Sequence, residues 1–404
     1  MVEQQGVKPL SGGVYMPQEE RLEVKSRNAS LFIGLPKENF NHERRIGLTP
    51  DAVKLLVNNG HRIRIETGAG EGANFSDHQY SEAGAEIVYD AKAVFEANII
   101  YKIAPLTSQE VELMKPKQIL LSSIQIKSQQ RAYFEALQSK KITFISFDYI
   151  QDEYGIFPVV RSMSEIAGSA SILIAAELLS NVNDGKGLLM GGISGVPPTD
   201  VLILGAGNAG EFAARAAMGL GASVKVFDNS IYRLRRLQND IHARLHTCVL
   251  QPDILMKHLR RADVVIGAIR AEEGRTPCVV TEEMVQVMKS GSVIVDVSID
   301  QGGVFETSDI TTHDKPTFIK HEVVHYCVPN IPSRVARTAS FALSNIFAPL
   351  LLQAGKEGGI ETLMKTNKGL RSGTVLYQGL LTHKVVGDWF KLPYKNIELL
   401  MAAL

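Results

Sequence analysis

Cysteine is scarce: Cys248, Cys278 and Cys327 are the only three in 404 residues, and they lie far apart without the spacing of a metal-ligand set. That argues against a disulfide framework and fits buried free thiols in a reducing compartment. Net charge is missing too. The 43 basic and 43 acidic side chains cancel, so nothing draws the chain to a nucleic acid or a membrane surface, and the expected partner is a small molecule. Long apolar runs are also lacking. The first thirty residues mix charges, glycine and proline without the apolar segment of a secretory signal. The most apolar stretch, Ala339 to Gly355, is interrupted by Ser344, Asn345, Pro349 and Gln353 and falls short of a bilayer span. A soluble cytoplasmic protein is expected. The 45% hydrophobic and 21% charged residues are ordinary globular composition, with length enough for two or three domains.

The most informative stretch runs from Val201 to Asp228. Val201 to Leu204 reads as a strand buried on both faces, followed at once by Gly205, Gly207 and Gly210 in G-x-G-x-x-G spacing. Gly205 permits a tight turn, Gly207 lets the main chain approach a pyrophosphate, and Gly210 allows the next helix to pack closely on the sheet. The helix N-terminus then offers free N–H groups and a positive dipole end to the phosphates, with Ala206, Asn208 and Ala209 in the same turn. A second strand, Ser223 to Phe227, ends in Asp228, placed to accept a hydrogen bond from a ribose hydroxyl, with Asn229 and Arg233 just beyond. The alternative is a strand-to-helix turn that binds nothing. Asp228 favours NAD, because a carboxylate there repels a 2′-phosphate. Arg233, Arg235 and Arg236 read either as a solvated helix face or as compensation for that charge, which leaves NADP open.

Along the chain, strands are expected at Ser30 to Leu35, His61 to Glu66, Glu86 to Tyr89, Ile99 to Ile103, Ile119 to Ile124 and Ile142 to Phe147. Helical patterns lie between them, and Thr49 and Pro50 supply a hydroxyl cap and a first-position proline for one helix. Ser162 to Glu165 has capping-box spacing ahead of the apolar run Ile166 to Leu179, so a long helix is expected to begin there. Beyond the glycine fingerprint, strands follow at Thr247 to Leu250, Asp263 to Ile269, Ser292 to Ser298 and Val323 to Val328, and then a long helix from Arg334 to Gln353. The alternation predicts an α/β protein with two Rossmann-like doubly wound domains flanking a cleft and linked by two long helices. The expected boundaries are an N-terminal extension at 1–29, a discontinuous substrate domain at 30–160 and 337–404, and a dinucleotide domain at 161–336.

Outside the fingerprint, Arg45 lies in a charged loop between a strand and a capped helix. It is either a bidentate clamp for a carboxylate or a solvated surface arginine. Asp296 and Asp300 interrupt and follow an apolar strand, where a carboxylate needs a partner or a purpose. Asp300, ahead of Gly302 and Gly303, either faces the nicotinamide end of a dinucleotide or caps a turn.

From Leu31 to Gln353 the chain resembles the alanine dehydrogenase and proton-translocating transhydrogenase α-subunit family, most of all its bacterial alanine dehydrogenases. The resemblance rests on Gly34 to Glu38 with Glu43, Arg45, Thr49 and Pro50; on Thr67 to Asp77; on Met163 to Gly168; on Met190 to Val196; on the fingerprint; on Asp296 to Gly303; and on Tyr326 to Asn330. It implies two Rossmann-like domains about a cleft, a homo-oligomer that is often a hexamer, and oxidation of L-alanine to pyruvate and ammonia with NAD. It also implies that Arg45 holds the substrate carboxylate, that Asp300 handles protons beside the nicotinamide, and that Asn330 lines the same pocket. Ser164 would contact the cofactor and Asp228 the ribose.

Two positions depart from the family pattern. The family's substrate-contacting lysine, in a Lys-Val-Lys-Glu-Pro strand end, falls on Ile103 or on Ala104 of Tyr101 to Pro105, depending on register, with Lys102 close by. Its catalytic histidine falls on Gln125, which can form hydrogen bonds but cannot titrate near neutrality. No histidine occurs between His78 and His242, so Lys102, or Lys127 two residues beyond Gln125 on the same strand face, is the candidate to keep the substrate amine neutral. Gln125 also leaves open a nucleotide-binding regulatory protein without catalysis, and the transhydrogenase branch leaves open a soluble subunit of that enzyme.

Overall fold

Strands of two to five residues, the central ones largely buried and rich in Ile, Val and Leu, form two sheets in the computed structural model, which describes residues 28–38, 43–270 and 276–402. The expected N-terminal extension lies, up to residue 27, outside the described residues. The first sheet comprises β1 (Phe32–Leu35), β2 (Arg62–Glu66), β3 (Glu86–Val88), β4 (Ile99–Tyr101), β5 (Ile119–Ser122) and β6 (Thr143–Ser146). The second comprises β7 (Asp200–Leu204), β8 (Ser223–Phe227), β9 (His246–Cys248), β10 (Val264–Gly267), β11 (Val293–Asp296), β12 (Thr317–Lys320) and β13 (Val323–Tyr326). Late in the chain β14 (Thr374–Tyr377) and β15 (Leu380–Leu381) return to the first sheet, whose order is β15-β14-β6-β5-β4-β1-β2-β3; the second runs β12-β13-β11-β10-β7-β8-β9.

Strands β1 to β6 are mutually parallel, as are β7 to β11 with β13, whereas β12, β14 and β15 pair antiparallel at sheet edges. Both sheets are thus doubly wound. Each reverses strand order once, between β1 and β4 in the first and between β7 and β10 in the second. At such a reversal adjacent crossover helices lie on opposite faces, which opens a crevice at the carboxyl ends of the strands. The two crevices are where functional groups are to be sought.

Two long helices connect the lobes, Pro158–Leu179 and Ala336–Lys356. Both have the length and apolar content to cross a membrane, but here their apolar faces join the two sheets' cores, with Ile172 and Ala175 in one and Leu343, Phe347 and Leu351 in the other.

Several local expectations are corrected. The first connecting helix starts at Pro158, not at Ser162, because a proline at the first position brings a pre-set φ and no orphan N–H. Ser162 and Ser164 are inside the helix, and their hydroxyls donate to the carbonyls of Pro158 (2.9 Å) and Val160 (2.7 Å). Thr49 precedes its helix as expected, yet its hydroxyl makes no capping bond, and its N–H donates to Ser344 Oγ at 2.6 Å. The second connecting helix is preceded by a 3-10 turn over Ile331–Val335 and begins at Ala336. β4 and β5 end at Tyr101 and Ser122, earlier than expected, so Gln125 and Lys127 are not on a strand. Gln125 takes a left-handed conformation (φ 42) that opens a 3-10 turn.

Candidate active site

The fingerprint turn takes its shape from contacts that only glycine permits at two of its positions. Gly205 has φ +112, and a Cβ there would sit 2.4 Å from the Ala268 carbonyl oxygen; one on Gly210 would lie 1.8 Å from the Gly205 carbonyl oxygen. Gly207 is different. Its backbone (φ −79, ψ −170) suits any residue, and an added Cβ would find nothing within 4 Å. Neither conformation nor packing requires glycine at 207, and its missing side chain leaves open space at the helix N-terminus. The N–H groups of Gly207, Asn208 and Ala209 have no acceptor among the described residues, at the N-terminus of the helix Asn208–Gly219. Open space beside unsatisfied amides at the positive end of a helix suits a phosphate.

Asp228 closes β8 and is buried. One carboxylate oxygen accepts from the Ala206 N–H (2.8 Å) and the other from the Ser230 N–H (2.7 Å). The acid therefore braces the turn, and each oxygen still has a lone pair for a hydroxyl. Asn229 is exposed beside it. Of the basic cluster, Arg235 is exposed and Arg233 half-buried, while Arg236 reaches back to the Ala206 carbonyl at 3.2 Å. Ser164 lies on the connecting helix, one turn before Gly168. A Cβ on Gly168 would be 2.1 Å from the Ala209 carbonyl oxygen, so this glycine lets the connecting helix cross directly over the fingerprint helix. Sequence reasoning missed that purpose, although the glycine after Met163 to Ala167 was its signal.

Across the cleft, loops at the carboxyl ends of β1, β4, β5 and β6 gather charge. Arg45 is buried and forks onto Glu43, with Nε 2.8 Å from one carboxylate oxygen and a terminal nitrogen 2.6 Å from the other. Its other terminal nitrogen is 3.3 Å from Met163 Sδ. Two of its five N–H groups then lack a partner among the described residues, enough to take a ligand carboxylate. Glu43 also accepts from Asn330 Nδ2 at 2.8 Å. This glutamate, quoted in the sequence motif without a role, joins the loop after β1 to the loop after β13. Arg45 and its hydrogen bonds hold its carboxyl below the usual range in spite of burial.

Asp300 follows β11 at the base of the cleft. It is exposed to the cleft, and the protein around it pushes its pKa up to about 6 by desolvation, against the lowering effect of the Asn330 N–H, Arg45 and Lys127. Lys127 Nζ approaches the Asp300 carbonyl oxygen at 3.3 Å. The lysine thus comes to Asp300 by way of the 3-10 turn, not along a shared strand face. Asp296, by contrast, is structural: wholly buried, it accepts from the N–H groups of Ser298 (3.0 Å) and Val304 (2.8 Å) and from Ser308 Oγ (2.7 Å).

Lys102 does not open into the cleft. Its side chain has no exposed surface, and its ammonium lies 3.2 Å from Glu110 and 3.6 Å from Glu38. The backbone turns there so that Ile103 and Ala104, the two registers for the family lysine, are themselves buried. Both donate their N–H groups to Glu38, at 2.5 and 3.3 Å. Burial pushes the Glu38 carboxyl up to about 7 against the pull of Lys102, with Glu43 adding to the rise. Asp148, two residues past β6, went unnoticed in the sequence. One of its oxygens accepts from Ser123 Oγ (2.8 Å), the Ile124 N–H (2.9 Å) and Ser146 Oγ (3.3 Å), and desolvation raises its pKa. An acid just beyond an apolar strand end was the available signal, the same one that drew notice to Asp300.

The two-lobed frame that carries these residues is found in known proteins. Family models described as "Alanine dehydrogenase/PNT, N-terminal domain" and "Alanine dehydrogenase/PNT, C-terminal domain" match residues 34–167 and 171–384. "Alanine dehydrogenase 2" of Staphylococcus aureus (strain USA300) is 40% identical over 369 residues, covering 91% of this chain and 99% of that protein. A solved L-alanine dehydrogenase, 36% identical, superposes with a TM-score of 0.84 over 89% of this chain and 99% of its own. A transhydrogenase from Sinorhizobium meliloti, 22% identical with a TM-score of 0.74 over 87% of this chain and 99% of its own, shares the fold. The two-lobed doubly wound frame is thus shared with known proteins, and this chain belongs to the alanine dehydrogenase/PNT family.

Proposed function

We propose that the protein is an NAD-dependent amino-acid dehydrogenase of the alanine dehydrogenase type, converting L-alanine or another small amino acid, with NAD and water, into the 2-oxo acid, ammonia and NADH. The observation that carries this reading is Gly207, a glycine that neither its backbone angles nor its neighbours require, beside unsatisfied amides. The residues present fit a dinucleotide: Gly205 to Gly210 would hold the pyrophosphate, Asp228 a ribose hydroxyl, and Ser164 and Asn330 the nicotinamide side of the cleft. When bound, the nicotinamide would supply the hydride acceptor for the substrate's α-carbon. Arg45 orients the substrate through its carboxylate, with Glu43 fixing the guanidinium plane. Asp300, with its pKa near 6, takes the proton that water gives up when it adds to the oxidised carbon–nitrogen bond. Gln125 contributes a hydrogen bond only, which makes the acid–base site non-standard. Lys102 acts at a distance, as the ion-pair partner of Glu38 and Glu110.

NAD is proposed over NADP because the Asp228 carboxylate occupies the space near the ribose, and Arg236 is turned towards the Ala206 carbonyl. The test is a panel: NADH or NADPH formation from small L-amino acids, alongside direct measurement of coenzyme binding. Turnover of one or more amino acids with NAD is expected. Tight coenzyme binding with no turnover would instead favour a nucleotide-binding regulator, the reading that Gln125 supports.

The same reading includes division into a substrate domain at 30–160 with 337–404 and a dinucleotide domain at 161–336, and assembly of several copies. The loop between the first connecting helix and β7 exposes Leu189 (66%), Ile193 (66%) and Val196 (55%), with Ile193 and Val196 bridged to each other. Apolar side chains held out by a defined turn suit a second copy of the chain better than water. An I193E/V196E double variant is expected to sediment at a lower mass than wild type. An unchanged mass in analytical ultracentrifugation would exclude this loop from the interface.

A further inference from the structure

The charge balance of the cleft bears on which substrate it accepts. Around Arg45 stand Glu43, on which it forks, and Glu38, Asp148 and Asp300, each close enough to interact with its charge. The cations nearby are Lys127, at the Asp300 carbonyl, and Lys102, which is shared between Glu38 and Glu110. With Glu110 counted, five carboxyl groups face three cations, Arg45, Lys127 and Lys102, and Glu38, pushed up to about 7, carries only part of its charge at neutral pH. A 2-hydroxy acid offers these acids no positive charge, whereas an amino-acid zwitterion, or a 2-oxo acid together with an ammonium ion, does.

Among these acids Asp148 has the geometry of a recognition group. Glu43 is fully engaged by Arg45 and Asn330, and both oxygens of Glu38 accept backbone N–H groups. In Asp148 three donors pin a single oxygen, the Ser123 hydroxyl, the Ile124 amide and the Ser146 hydroxyl. The other oxygen has no partner among the described residues. Those three bonds fix the plane of the carboxylate from below, at the carboxyl ends of β5 and β6, two residues from Gln125 by way of Ser123 and one by way of Ile124. Asp148 is half-buried, so its second oxygen is open to the cleft, where a ligand N–H can replace water as its donor.

Resting on the dehydrogenase function proposed above, we propose that Asp148 is the acceptor for the substrate's amino group, the ammonium of the amino acid in one direction and ammonium ion in the other, while Arg45 takes the carboxylate. It stands in for the charge recognition that an imidazole at position 125 would provide and Gln125 cannot. Asp148 would thereby set the preference for amino over hydroxy substrates.

The experiment compares wild type with D148N, which keeps the side chain's shape, and with D148E, which keeps its charge. In the reductive direction the KM for ammonium in D148N is expected to rise about 10- to 100-fold, as for a lost charge-assisted hydrogen bond, while the KM values for the 2-oxo acid and NADH stay within about threefold. Calorimetric Kd of the best L-amino acid for the NADH-bound protein should weaken by a similar factor, with partial recovery in D148E. A rise in all three KM values together, or none in that for ammonium, overturns the assignment of Asp148. A wild-type protein that binds and converts no amino acid overturns the dehydrogenase reading itself and this inference with it, an outcome separate from an active wild type with an unaffected D148N.

Discussion

Exchanging Asp300 for asparagine is expected to lower kcat by about 100- to 10,000-fold, the range for loss of a positioned general base, while the Kd for NADH changes by less than about threefold. The variant keeps size and shape and a side-chain oxygen for the Asn330 N–H, and the Lys127 contact, made to the main-chain carbonyl, is untouched. In the wild type kcat should rise with unit slope on a logarithmic scale up to a pKa near 6 and level off above it, because the ionised carboxylate is the active form. The stability effect has the opposite sense. A carboxyl whose folded pKa is raised from 3.8 to about 6 binds its proton more tightly in the folded state, so its contribution is present below the unfolded value and is lost as pH rises through that interval. At pH 7 D300N should therefore unfold at a temperature no lower than wild type. Full activity of D300N, or a pH profile flat from 5 to 8, would remove Asp300 from the chemistry.

The second large effect separates two glycines three residues apart. Alanine at Gly210 places a Cβ 1.8 Å from the Gly205 carbonyl oxygen, backbone against backbone, where no rotamer change can relieve it. G210A should lose stability on the order of 1–3 kcal/mol or more, and coenzyme binding with it. Alanine at Gly207 meets nothing and strains nothing. G207A should keep its melting temperature and still lose about tenfold or more in NADH affinity, read by fluorescence, because the new methyl stands where the pyrophosphate approaches the main chain. If G207A binds NADH like wild type, the space beside Gly207 serves some other purpose and the proposed cradle is wrong.

Much of the frame was legible because parallel strands covered on both faces read as plain apolar runs. β8 appears at its expected limits, and the reversal at β7 follows from the fingerprint itself. Edge elements were hidden. β12, β14 and β15 are short and antiparallel, and the β14–β15 hairpin turns through Gln378 (φ 48) and Gly379 (φ 83), a less familiar counterpart of Asn-Gly. Strand ends were harder still, and the site is made of them. The left-handed Gln125 turned a same-face argument for Lys127 into a different route to Asp300, and the early end of β4 buried Lys102. Pairing across the cleft, such as Glu43 with Asn330 at 287 positions' separation, has no local signature at all.

The antiparallel pairing of β14 with β6 has a consequence for biosynthesis. A ribosome emits every strand of the second sheet before it reaches residue 374, while the first sheet waits with β6 as an open rim. The nascent polypeptide can thus complete its later-encoded half first and must shield that rim until β14 emerges, so translation arrest or a stop codon ahead of residue 374 should yield aggregates rather than a smaller working protein.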